Sequence, residues 1–148
     1  MTGTITKLPD LGWMLRPLTE IPGVRHCVVV SEDGLRLGHA SAEDLQGPVA
    51  RLSVAEAEAL SAACAAMAMT GRSTAALLFG GGAAVRQLML ESDHGFVLFT
   101  QAGVGAHLGV ATATDADVGL VAQQMQLLVA KIGAHLSTQP RDPVTPSS

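Results

Sequence analysis

The chain has 148 residues, a formal net charge of −4 at pH 7, and 48% hydrophobic against 15% charged residues. That length suits one domain with a core of its own, and so apolar a composition excludes an intrinsically disordered chain. Aromatics at 3%, a pI near 5.6 and the lack of any basic stripe exclude binding to nucleic acid or to an anionic membrane surface.

The first nine residues are polar or small and are expected to be flexible; they lack the apolar stretch of a signal peptide. Asp10 is placed to cap a helix from Leu11 to about Glu20, with Trp13, Met14, Leu18 and Ile21 on its apolar side. Pro17 lies inside that pattern and is expected to kink it, and Pro22-Gly23 ends it. Arg25 to Ser31 is short and β-branched, as a buried strand should be. Ser31-Glu32-Asp33-Gly34 reads as a hairpin turn, Leu35 to Ala40 as the returning strand, and a loop follows through Gly47-Pro48.

Ser53-x-x-Glu56 is a capping box that opens a helix from Val54 to about Thr70, with an acidic first turn facing the positive end of the helix dipole. From Ala62 to Met69 this helix is apolar on every side, and such a helix is normally buried on every side. The rest of the chain is too small to wrap it. The pattern therefore predicts one face on the protein's own sheet and the other on a second copy.

Three strands follow, Val85–Glu91, Gly95–Gln101 and Ala106–Thr112, joined by turns at Asp93-His94-Gly95 and Ala102-Gly103-Val104-Gly105. The uncharged stretch from Gly95 to Thr114 is long enough to raise a membrane span, but its four glycines and its strand pattern exclude one. Thr114-x-x-Asp117 reads as a second, weaker capping box for a last helix to about Leu136. Val118, Val121, Met125, Leu128, Ile132 and Leu136 form its apolar face. The order is α-β-β-α-β-β-β-α in a single domain over 10–137, with a disordered tail over 138–148.

No catalytic seat is visible. Phe79-Gly80-Gly81-Gly82 precedes a strand, the wrong context for a phosphate cradle, and Gly103-x-Gly105-x-x-x-Gly109 misses the dinucleotide fingerprint by one residue. His26, His39, His94, His107 and His135 are scattered without metal-ligand spacing. Cys27 and Cys64 sit in apolar runs, as small buried hydrophobes in a reducing compartment do. A non-enzymatic protein without cofactor or metal is expected.

Several blocks in order carry a resemblance: Ile21-Pro-Gly-Val24 before the strand Cys27–Val30, Ser31-x-Asp33-Gly34-Leu35, and Phe79-Gly-Gly-Gly82-x-x-Val85-Arg86-Gln87. Gly95-Phe96-Val97-Leu98-Phe99, Asp117-x-Gly119-Leu120-Val121 and Met125-x-Leu127-Leu128-Val129 with Ile132-Gly133 complete them. The chain resembles the roadblock (dynein light chain-like) family, most closely its stand-alone bacterial members common in actinobacteria. Pro17 departs from the family pattern.

The resemblance implies a profilin-like α/β (α+β) fold, a five-stranded antiparallel sheet of order 2-1-5-4-3. The first and last helices would lie on one face and the second helix on the other. It implies a homodimer through helix 2 and strand 3, with a continuous ten-stranded sheet and contacts from Ala62, Cys64, Ala65, Ala66, Met69, Val85, Gln87 and Met89. It further implies a regulator or scaffold for a Ras-like small GTPase, working beside a sensor-kinase-like protein. Such a protein is cytoplasmic and reaches the membrane through partners, without insertion. Arg72 and Arg86, bordering helix 2 and strand 3, are the possible GTPase contacts. Two alternatives stand beside this reading: a pure scaffold without effect on GTP hydrolysis, and a small-ligand sensory module. Against the latter, no convergent polar residues are apparent on the apolar strands.

Overall fold

The structure is a computed structural model that describes residues 10–43, 45, 51–103 and 105–138. The expected flexible N-terminus, nearly all of the expected tail, Gly47-Pro48 and Val104 lie outside them. A 3-10 turn over Gly12–Leu15 runs into one α-helical turn over Arg16–Thr19, together called α1. The other elements are β1 (Val24–Ser31), β2 (Arg36–Ser41), α2 (Val54–Phe79), β3 (Gln87–Ser92), β4 (Gly95–Gln101), β5 (Ala106–Thr112) and α3 (Val118–Thr138).

Asp10 does accept a backbone N–H at the start of α1, from Gly12 at 3.0 Å. Pro17, expected inside the helix, stands in the first turn of the α-helical segment, just after the change from 3-10 to α-helix, where its missing N–H has no intrahelical partner to lose. The segment is also shorter than expected.

The sheet is antiparallel throughout, in the order β2-β1-β5-β4-β3. Alternation along each strand builds two cores. On one face, Cys27, Val29, Leu98, Leu108 and Val110 pack against Leu11, Leu15 and Leu18 and against Val121, Met125, Leu128 and Ile132 of α3. On the other face, Val28, Val30 and Phe99 pack under Cys64 of α2, with Leu60, Ala65, Met67 and Leu88 at the rim. The apolar stripe of α3 is the one its spacing predicts.

α2 begins at the expected capping box: Glu56 N–H donates to Ser53 Oγ at 3.1 Å, and Ser53 N–H to Glu56 Oε1 at 3.0 Å. It runs nine residues past the expected end at Thr70, through Phe79, and stops at Gly80 with φ of +102°. Gly71 sits inside the helix because a Cβ there would meet Leu88 Cδ1 at 2.9 Å. The hydroxyls of Thr70 and Thr74 donate to the carbonyls of Ala66 and Thr70, so neither competes with the helix.

α3 corrects the expected cap. Leu120 N–H donates to Asp117 Oδ1 at 3.1 Å and Val121 N–H to the Asp117 carbonyl at 3.0 Å, so Asp117 itself is the N-cap rather than the partner of Thr114.

The two outer strands differ. β2 is tied to the chain start by Leu11 N–H donating to the Leu37 carbonyl at 2.8 Å. That approach is close: a Cβ on Gly38 would lie 2.5 Å from Gly12 N and 2.8 Å from the Leu11 carbonyl carbon. β3 pairs with β4 along one side, and no described strand pairs with its other side.

Candidate functional site

α2 buries one narrow stripe, Ala57, Ser61, Cys64 and Ala68. These are spaced by four, three and four residues, and their small side chains let the helix sit close on the sheet. Length and composition alone would let α2 cross a bilayer; its packing on β1, β2 and β5 makes it the cover of a sheet face instead. The outer side remains apolar. Met69 is 60% exposed, Leu77 84%, Leu78 65% and Phe79 79%, while Met89 on β3 is 56% exposed.

Between the C-terminal half of α2 and β3 runs an open, apolar groove of about 1000 Å³, with Ala66, Thr70 and Ala75 on the helix side and Val85, Leu88 and Met89 on the strand side. Among the residues expected to contact a second copy, Ala62, Ala66, Met69, Gln87 and Met89 are exposed, and Val85 is half-buried beside them. Ala65 is half-buried against the α2-side core. Cys64 is elsewhere: it is 1% exposed inside the protomer's own core, which pushes its thiol up to about 12. Burial leaves it inert as a nucleophile and out of reach of a partner. Sequence reasoning missed Leu77, Leu78 and Phe79, although Ala75-Ala76-Leu77-Leu78 is a run of strong helix formers.

Arg72 and Arg86 come together at one corner of the sheet, lining a second cavity of about 160 Å³ beneath α2 with Gln101 and His107. Arg72 Nη1 lies 3.9 Å from Glu32 Oε1, with both side chains half exposed. Such a pair contributes at most about 1 kcal/mol. The backbone before β3 is fastened by Thr100 Oγ1 donating to the Arg86 carbonyl at 2.9 Å, and Gln126 Nε2 of α3 donates to that hydroxyl at 3.2 Å. Burial, and after it Arg72, holds His107 below the ordinary histidine range. Among the described residues no group of three or more His, Cys, Asp or Glu could hold a metal ion.

The sequence profile of the Roadblock/LC7 domain matches residues 11–112. The chain belongs to the Roadblock/LC7 family. A Roadblock/LC7 domain from Streptomyces avermitilis superposes on it with a TM-score of 0.76 at 28% identity, covering 87% of this chain and 99% of that one. A second from the same organism is 35% identical over 80% of this chain and 94% of its own, with a TM-score of 0.57. The gliding protein MglB from Thermus thermophilus shares the fold, with a TM-score of 0.66 at 18% identity over 83% of this chain and 87% of that one. No curated protein matches it in sequence. The five-stranded sheet of order 2-1-5-4-3 is thus the Roadblock/LC7 fold, and the groove lies between its second helix and third strand.

Proposed function

We propose that this Roadblock/LC7 protein pairs with a second copy of itself through α2 and β3, and that the pair regulates or scaffolds a Ras-like small GTPase. One observation carries the pairing: the apolar outer side of α2 borders an open groove beside an edge of β3 that no described strand pairs with. Adding a twin strand at β3 closes that edge, and laying helix on helix covers Ala66 and Met69. A relative of the same fold, MglB, has been solved in a tetrameric arrangement, which supports self-association.

The GTPase assignment rests on the family resemblance. The pair is then a non-enzymatic platform in the cytoplasm, brought to the membrane by its GTPase or by a sensor-kinase-like partner. Arg72 and Arg86 are the side chains it offers to the GTPase, and Arg72 is the less free because Glu32 lies beside it.

Light scattering tests the first half: the particle should have twice the 15.2 kDa chain mass. Titration of the purified pair into its cognate GTPase, loaded with GDP or with a GTP analogue, tests the second. A stable 15 kDa particle removes the pairing, and lack of binding in both nucleotide states removes the regulatory role.

A further inference from the structure

The corner cavity of about 160 Å³ is chemically unlike the rest of the α2-side face. Four elements bring polar groups into it: Arg72 from α2, Arg86 from the approach to β3, Gln101 at the end of β4 and His107 on β5. Strand register explains the convergence. Ala106, Leu108 and Val110 point into the α1/α3-side core, so His107 between them faces α2. Gln101 is the cross-strand partner of His107, so the two side chains stand on the same face.

Among the described residues no carboxylate lines the cavity. The nearby acid is Glu32, which meets Arg72 from the half-exposed rim. His107 is 8% exposed, and its Nε2 is buried with no hydrogen-bond partner among the described residues. A buried polar atom left so costs about 1–3 kcal/mol, an energy that a ligand accepting or donating there would recover.

We infer that this cavity is a binding site for a small oxyanion of the phosphate class, held by Arg72 and Arg86 with Gln101 and His107 as neutral hydrogen-bonding partners. Guanidinium groups present planar forks of N–H donors that match oxyanions. The volume sets the size limit. At ~30 Å³ for each water of the bulk liquid, it holds the equivalent of about five waters. That accommodates a phosphate with one or two waters. The cavity is lined by one protomer, so phosphate binding can be measured on this chain without the GTPase, although Arg72 and Arg86 are also the side chains offered to it.

The test uses the full chain, isotope-labelled, titrated with inorganic phosphate at constant pH and ionic strength against sodium chloride. Saturable shifts centred on the His107 ring and the Gln101 side-chain amide are expected, with a millimolar dissociation constant. The Arg72→Gln/Arg86→Gln double variant should weaken binding by about tenfold or more. Both side chains are exposed, so it should keep the parent far-UV spectrum. Shifts no larger than those from chloride would overturn the site, as would parent affinity in the double variant. A parallel titration with acetate separates the two oxyanion chemistries. Saturation by acetate but not by phosphate would overturn the phosphate-class assignment and make the site a carboxylate receptor.

Discussion

Replacing Ala66 by glutamate separates self-association from folding. Ala66 is exposed on the protomer and lines the groove beside β3, so the carboxylate stays solvated when the protomer is alone. In a two-fold pair the substitution appears twice. An unpartnered charge left in an apolar contact costs about 3–5 kcal/mol, so the two together cost about 6–10 kcal/mol. The opposing gain includes Met69, which is 60% exposed on the outer side of α2. Burying the remainder of it contributes roughly 1–2 kcal/mol, or about 2–4 kcal/mol for the two copies in the pair. That penalty of about 6–10 kcal/mol should raise the dissociation constant by about ten-thousandfold or more.

Light scattering across a concentration series should show the mass fall from twice 15.2 kDa to 15.2 kDa, with the far-UV spectrum unchanged. An Ala66→Glu protein that keeps the parent mass would refute the argument. Ala65→Glu would not serve, because Ala65 packs on the protomer's own core and its substitution confounds the two effects.

Acidification should destabilise the fold. Burial first, then Arg25, Arg36 and Arg72 respectively, hold His26, His39 and His107 below their ordinary 6.5. The unfolded chain therefore binds more protons than the folded one at mildly acidic pH. Stability should be level above about 6.5 and fall as pH drops toward the folded-state values, and a melting temperature unchanged between about pH 7 and pH 5 would contradict this. Asp33 and Glu56, lowered mainly by hydrogen bonds, also lose their contribution on acidification, but only below 3.8 and 4.5. Gly38→Ala should cost about 1–3 kcal/mol in urea unfolding because its Cβ meets backbone, while Gly81→Ala, with open space around it, should lie within about 0.5 kcal/mol of the parent. Asp117→Ala should cost about 1 kcal/mol and Thr114→Ala little; the reverse order would restore Thr114 as the cap of α3.

Periodicity made much of the frame legible. β4 and β5 have the bounds their patterns predict, and the buried residues of α3 are those of its expected stripe. The end of α2 was not legible, because Gly71 with Ser73 and Thr74 close behind it normally closes a helix. Here tertiary packing overrides it: Leu88 occupies the space a side chain at 71 would need. Nor could one sequence say which way Cys64 turns, since on a helix so uniformly small only contact with the sheet chooses the inner side. The corner cavity was hidden for another reason. Arg72, Gln101 and His107 belong to three elements and Arg86 to the approach to a fourth, and strand register together with the docking of α2 is what assembles them.

The bond from Leu11 to Leu37 has a consequence for how far assembly can go. A sheet with bare margins on both sides recruits strands in two directions and runs on into a fibre. Here Leu11 is bonded across the β2 margin, so the proposed pairing has the β3 margin to use. If pairing runs through β3, loss of the Leu11–Leu37 bond would bare a second margin, and a truncation past Leu11 is expected to scatter as larger, concentration-dependent species.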